Sequence, residues 1–304
     1  MFFECVPNVS EGRRPEIVAA LAAACKIRGA RVLDVHSDAD HNRSVLTLAG
    51  TAHELHGGVL ALFDAAIEAI DLRAHQGVHP RVGAVDVVPF VPLHGASMKD
   101  ASAVAEHLAE AVASDFALPV YLYEYAARRS ERRALPLIRR GGFEGFGEKI
   151  RRPGWAPDLG PATVHPSAGV TVVGSRFFLV ALNVVLESAN LELARSIARQ
   201  VRESSGGLAA LRAIGVELSS RGVVQVSLNL LDYRVTSMTT AFAAVEAAAA
   251  RAGVAVRASE LVGLVPAAAL PMDPERELAL RVAPEKVLEN ALRAHGLDGA
   301  VSPG

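Results

Sequence analysis

His75-Gln76-Gly77-Val78-His79-Pro80-Arg81-Val82-Gly83-Ala84-Val85-Asp86-Val87-Val88-Pro89-Phe90 sets two imidazoles, an arginine, glycines and a proline just ahead of an apolar run. Val85-Asp86-Val87-Val88 reads as a buried strand that ends at Pro89, with the polar residues on the loop leading into it. Pro80 fixes its own φ and pushes His79 towards extended backbone, so the loop is stiff. A titratable side chain on such a loop, at the mouth of a strand, suits binding or catalysis. With an ordinary pKa of about 6.5, His79 is the expected proton-transfer group, against the plainer reading of a loop histidine capping a carbonyl. His75 and His79 are four apart, a metal-ligand spacing on a helix, but Gly77 and Pro80 oppose a helix and no metal is expected. Asp86 alternates with strand residues and is expected to brace the loop.

Working outward, this strand closes a unit. Phe2–Val6 reads as a strand, Ile17 to Cys25 carries apolar residues at helical spacing, and Arg31–His36 and Arg43–Ala49 read as a hairpin pair. Thr51 to about Ile70 is a helix with Leu55, Val59, Leu62 and Phe63 inward. Strand, helix, strand, strand, helix, strand is the split βαβ plan of ferredoxin-like units. A helix from Met98 to about Phe116 and a strand at Leu118–Tyr123 extend it. A basic segment, Arg128 to Arg152, and the rigid connector Trp155–Pro161 follow.

From Phe177 the order begins again. Phe177–Leu186 is a strand, Asn190 caps a helix to about Arg202, and Ala213–Leu218 and Val223–Leu230 form a hairpin. A helix from Ser237 to Ala252, a strand at Val254–Ala258 and a last helix at Pro284–His295 complete the set. The expected fold is therefore α/β (α+β), with ferredoxin-like subdomains at 1–176 and 177–304 whose open sheet faces pack together around a ligand channel.

Composition bounds the function. The 304 residues are 51% hydrophobic and 21% charged with a net charge of −2, which excludes disorder and gives no global attraction for nucleic acid. Cys5 and Cys25 read as buried thiols rather than a disulfide framework. No signal peptide is expected at the N-terminus, and Ala241–Ala250 is too short to span a bilayer. The expected location is the cytoplasm.

Other segments offer ligand groups. Pro7-Asn8-Val9-Ser10-Glu11-Gly12 is either a helix cap or an anion site at a helix N-terminus. In His36-Ser37-Asp38-Ala39-Asp40-His41-Asn42-Arg43, Asp38 and His41 read as a solvated turn, while Asn42-Arg43 re-enters the sheet where Arg43 can grip a carboxylate. The basic segment reads as a solvated face, or as a patch for a multi-carboxylate small molecule, and lacks the aromatics of single-strand binders. Gly160-Pro161-Ala162-Thr163-Val164-His165-Pro166-Ser167-Ala168-Gly169 is either a linker or a loop whose amides cradle a ligand.

Taken together, Glu4–Gly12, Asn42-Arg43, Gly77–Val87, Pro119–Tyr123, Trp155–Pro161, Gln225–Asp232 and Leu261–Pro266 resemble the glutamate formimidoyltransferase family along nearly the whole chain. The resemblance implies transfer of the formimino group from N-formimino-L-glutamate to tetrahydrofolate, as co-substrate, in histidine degradation. It implies folate held between the sheets of two α/β subdomains, in a homodimer with no metal, nucleic acid or membrane partner. The catalytic histidine of the family falls on His79 and its folate loop on Gly160–Gly169. Asn8, Asn42, Arg43 and Arg81 are the expected substrate contacts, with a polyglutamate tail on the basic segment. An assisting acid of the vertebrate pattern falls on His36, with Asp38 or Asp40 as stand-ins, and an aromatic falls on Ala168. The vertebrate cyclodeaminase activity is expected from another protein. A formyl-handling folate enzyme, a folate carrier and a metal-dependent amidine hydrolase using His36, His41, His75 and His79 are the rivals.

Overall fold

The computed structural model describes residues 1–300; positions 301–304, the end of the expected second subdomain, lie outside the described residues. The chain divides into two compact units, residues 1–176 with the chain from His295 onward, and residues 177–294.

The first unit runs β1 (Phe3–Cys5), β2 (Asn8–Val9), α1 (Pro15–Lys26), β3 (Arg31–Asp38), β4 (Arg43–Gly50), α2 (Ala52–Ala69) and β5 (Val85–Pro92). It continues with α3 (Met98–Asp115), β6 (Val120–Glu124), α4 (Leu135–Arg139), α5 (Gly142–Lys149) and β7 (Thr171–Ser175). Capping boxes start two of the helices, Thr51 with Glu54 and Ser97 with Asp100. In the sheet β3 pairs with β4, β4 with β1 and β2, these with β5, all antiparallel; β7 then lies parallel between β5 and β6. Phe3, Cys5, Leu46, Leu48, Val88 and Phe90 join the core built with α1, α2 and α3. Across the sheet, Val87, Tyr121, Tyr123 and Val172 pack under α4 and α5 through Ile138 and Phe146.

The second unit runs β8 (Val180–Leu186), α6 (Leu191–Val201), β9 (Leu211–Leu218), β10 (Val223–Leu230), α7 (Met238–Arg251), β11 (Val256–Val262), α8 (Pro274–Leu278) and α9 (Leu288–Ala294). Its sheet is antiparallel in the order β11, β8, β10, β9. That is the same split βαβ connectivity as in the first unit, where β5, β1, β4 and β3 hold the corresponding places.

Three expectations need correction, and one strand is added. The strand after the His79 loop does not end at Pro89 but runs to Pro92. Pro89 has no N–H to give, and it lies opposite the break between β1 and β2, where Val6 donates to its carbonyl at 3.1 Å. Thr171–Ser175, which lies between the expected loop and the expected Phe177 strand and carries no expected element, is a fully buried strand. It has parallel neighbours on both sides and is buried throughout, so Thr171-Val172-Val173-Gly174-Ser175 shows no alternation. Val254 belongs to the turn closing α7, donating to Ala249, so β11 starts later. The expected helix at Pro284–His295 is broken, because Val287 pairs with Val265 before α9 begins.

Candidate functional site

The register decides which side chains share the face of the first sheet opposite α1, α2 and α3. Arg43, Val45, Thr47 and Ala49 of β4 alternate with core residues, and their partners Asp38, His36, Asn8 and Glu4 lie on the same face. The loop from Asp71 to Ala84 brings His79 to the end of this row.

That loop is anchored at several points. Asn42, with φ 47, tolerates the left-handed conformation as asparagine can. Its Oδ1 accepts from the Gly12 amide at 3.0 Å and its Nδ2 donates to the Gln76 carbonyl at 2.9 Å. A Cβ at Gly77 would lie 2.2 Å from the His41 carbonyl oxygen, so only glycine lets the loop pass. His75 is fully engaged, with Nε2 donating to the Asn42 carbonyl at 2.8 Å and Nδ1 accepting from Arg81 Nε at 2.8 Å. It is therefore a neutral brace; burial lowers its pKa, against the raising effect of the Asn42 carbonyl.

A bulge places Asp86. Asn8 pairs with Val87 and Val9 with Val85, leaving Asp86 as the extra residue rather than a simple alternating one. Its Oδ1 accepts from the amides of Val82 (2.7 Å) and Gly83 (3.3 Å), and its Oδ2 receives Arg139 Nη2 at 2.5 Å. The carboxylate thus braces the stretch that carries His79, as expected of it.

The His79 ring is half-buried. Nδ1 lies 2.8 Å from the Pro80 carbonyl, which can only accept, so Nδ1 carries the proton and Nε2 the lone pair. Nη1 of Arg43 stands against both ring nitrogens, 2.5 Å from Nδ1 and 2.6 Å from Nε2, while Nη2 of Arg43 donates to Asn8 Oδ1. The His41 ring lies 5.8 Å away, so His41 is a neighbour of the site rather than part of a solvated turn. Burial, and then the cations of Arg43 and Arg139, hold the His79 pKa well below the usual imidazole range. Burial likewise brings Arg43 down to about 9, with Arg139 adding repulsion, and it remains a cation at neutral pH.

Asn8, Arg43 and His79 therefore converge, while the Asn42 side chain ties the Gly12 and Gln76 backbones behind them. Arg81 does not join them, because its guanidinium is committed to His75 and, at 2.8 Å, to Glu144. His36 shares the face of Arg43 from the neighbouring strand, and Asp38 caps the hairpin by accepting from the His41 amide at 2.8 Å. Glu4, further along the row, is 1% exposed, and its Oε2 has no partner. Burial pushes its pKa up to about 7, against the pull of Arg176.

The loop of residues 160–169 lies beside the His79 loop. Gly83 and Gly169 form an antiparallel bridge; Ala84 donates to the Ala168 carbonyl, Val170 to Val82 and Leu72 to Ser167. A Cβ at Gly169, where φ is +76, would meet the Val82 carbonyl oxygen at 2.2 Å. The amides of Ala168 and Gly169 already donate to His165, so they are not bare as expected, whereas Pro161, Ala162 and Thr163 are exposed.

The basic segment is not a uniform solvated face. Arg132 is 1% exposed, paired with Asp158 at 2.6 Å and 5.0 Å from the Tyr121 ring centroid. Lys149 donates to the carbonyls of Leu137 and Ile138. Arg139 reaches Asp86, a role with no sequence signal, since the two lie 53 residues apart with α3 and β6 between them. Arg128, Arg129, Arg133, Arg140, Arg151 and Arg152 stay exposed. Among the described residues no three His, Cys, Asp or Glu side chains cluster as metal ligands, and no helix is long and apolar enough to cross a membrane.

Residues 2–176 match the family model described as the N-terminal subdomain of the formiminotransferase domain, and residues 181–281 match the formiminotransferase domain. A glutamate formimidoyltransferase of Streptococcus pyogenes serotype M1 is 42% identical over 268 residues, covering 88% of this chain and 90% of that protein. One of Thermoplasma acidophilum is 41% identical over 270 residues, covering 88% and 89%. The formimidoyltransferase-cyclodeaminase of Sus scrofa is 41% identical over 274 residues, covering 88% of this chain and 50% of the relative.

Proposed function

This chain belongs to the formiminotransferase family, and from that premise we propose that it is a glutamate formimidoyltransferase. It takes the formimino group of N-formimino-L-glutamate and passes it to tetrahydrofolate, releasing L-glutamate. The observation that carries the reading is the neutral His79 ring with Nδ1 at the Pro80 carbonyl and the Arg43 guanidinium against both ring nitrogens.

The chemistry needs one proton moved twice. N5 of tetrahydrofolate attacks the amidine carbon and a tetrahedral intermediate forms. His79 Nε2 takes the proton that N5 loses. The bond between the amidine carbon and the glutamate nitrogen then breaks, and the same imidazole returns the proton to that nitrogen. Nδ1 stays on Pro80 throughout, which fixes the tautomer and ring orientation. Arg43, held by Asn8, shifts from Nε2 to a carboxylate of the donor when substrate arrives.

The finer parts of the reading rest on the family resemblance and on local geometry. Residues 1–176 form the catalytic subdomain and 177–304 the second one. Gly160–Gly169 is the folate loop, through its exposed Pro161-Ala162-Thr163 end. The exposed arginines from Arg128 to Arg152 meet a polyglutamate tail, so affinity for long-tailed folate falls with added salt. His36 or Asp38 supports the site from β3. The enzyme works as a homodimer in the cytoplasm, which sedimentation at several concentrations tests for the oligomer.

The decisive experiment is turnover of N-formimino-L-glutamate with tetrahydrofolate by the wild type and by His79→Asn. Folate-dependent glutamate release that drops about 10²–10⁴-fold in the variant, with tetrahydrofolate still bound, is the expected result. Full turnover by His79→Asn overturns the proton-shuttle assignment. Binding of folate without turnover by the wild type overturns the transferase itself.

A further inference from the structure

Arg43 stands at the His79 ring, and Arg139, held by Asp86 in the bulge opposite Asn8, lies within electrostatic range of it; each has a donor left over. Nε of Arg43 and Nε of Arg139 are both buried and have no hydrogen-bond partner. The remaining hydrogen bonds of these side chains are local: Arg43 faces His79 and Asn8, and Arg139 faces Asp86. A buried donor without an acceptor is unfavourable by about 1–3 kcal/mol, more when charged. The two cations also repel each other, and both act on the His79 ring together with His41. Asp86 contributes one negative charge, with both its oxygens already taken by the Val82 and Gly83 amides and by Arg139. Tyr123 of β6 also faces Arg43, as a neutral phenol whose pKa is pushed up to about 12 by burial. The arrangement lacks one anion.

We propose that Arg43 and Arg139 together seat a carboxylate beside His79, that this is the α-carboxylate of the formimino donor, and that its arrival makes the imidazole able to take up a proton. The inference rests on the transferase reading for its donor, and on the unpartnered guanidinium donors for its site. The α-carboxylate is two bonds from the nitrogen that must be protonated, so a seat at the proton shuttle fits it. A folate tail carboxylate is separated from N5 by a methylene, a p-aminobenzoyl group and an amide, and would have to reach back. Before the donor binds, two cations keep the ring neutral. A carboxylate offsets one of those charges, and the ring regains the basicity needed to take the N5 proton. Arg139 is a positioning and specificity residue in this account, and a lysine at 43 or 139 would lose the planar fork that meets a carboxylate with two bonds.

The test uses L-glutamate, the product, as a probe, with L-glutamine (γ-amide) and L-isoglutamine (α-amide) as controls, on the whole chain. The His79 titration midpoint is followed by NMR with and without each compound. Glutamate and glutamine are expected to raise it and isoglutamine to leave it unchanged. Arg139→Gln is compared with Arg139→Gln/Asp86→Asn, which leaves no unpaired carboxylate, and thermal melts identify the variant that folds. The folded variant is expected to show a donor KM raised roughly tenfold or more, a tetrahydrofolate KM within about twofold, and a higher His79 midpoint in the free enzyme. A purely structural Arg139 would leave that midpoint in place. An unchanged donor KM, or a midpoint indifferent to glutamate, overturns the proposal. Isoglutamine acting as well as glutamate overturns the α-carboxylate assignment, and a raised tetrahydrofolate KM alone gives the seat to the folate tail. Wild-type turnover run beside these measurements separates their failure from failure of the transferase reading.

Discussion

Glu4→Gln is the most informative single perturbation of the fold. Glu4 is fully buried on the face it shares with Arg43, and burial displaces its pKa from 4.5 to about 7. At about 1.4 kcal/mol for each tenfold change, the displacement makes ionised Glu4 about 3 kcal/mol less favourable in the folded than in the unfolded chain. Between pH 4.5 and 7 the folded chain keeps this proton while the unfolded chain releases it, so the contribution is complete below 4.5 and lost as pH rises through 7. Glutamine has the shape of the protonated acid and no charge to desolvate. The variant should match the wild type at pH 4 and melt roughly 5–10 °C above it at pH 8. Scanning fluorimetry of both proteins at the two pH values reads the difference, and other titrating groups cancel in the comparison. An equal offset at both pH values would refute the argument, since it would show that ionisation of Glu4 carries no burial penalty.

Three further outcomes follow from the same geometry. Arg132→Met leaves Asp158 buried without its partner and should lower stability by about 3–5 kcal/mol, whereas Arg132→Met/Asp158→Asn should recover much of it in urea unfolding. Gly169→Ala forces a Cβ against the Val82 carbonyl and should cut kcat/KM by at least tenfold while the second unit keeps its hydrogen-exchange protection. The acidic limb of kcat/KM, which reports the free enzyme, should fall below pH 6.5 because His79 is held below that value, and the limb of kcat should lie higher once a donor carboxylate sits beside it. Coincident limbs in the two pH profiles would contradict the electrostatic account.

Much of the fold was legible because the strands and helices of both units announce themselves locally. Thr51 and Ser97 cap where a helix must start, and β4 and β10 show apolar residues at period two. Connectivity then follows from element order. Thr171–Ser175 escaped because a strand buried between parallel neighbours has no alternation to see. At the site, His79 was legible from Gly77 and Pro80, which mark a stiff loop. Arg139 was not, because it meets Asp86 through tertiary packing alone, while the adjacent Arg140 stays exposed. Arg81 misled for the converse reason: a cation next to the key histidine in sequence points to Glu144 in space. The alternation that made Asp86 look like an ordinary strand residue concealed a bulge.

The backbone pairing of Val82–Ala84 with Ser167–Val170 sets the timescale on which these loops open. The amides of Ala84, Val170 and Leu72 are each protected by a bond to the opposite segment, and that of Gly169 by its own turn. None of these bonds can break while its neighbours hold their register, so the four amides should exchange with deuterium at one shared opening free energy, as a single foldon. The segment that presents His79 and the segment that precedes β7 then breathe together or not at all. Any ligand that orders one of them slows exchange in the other.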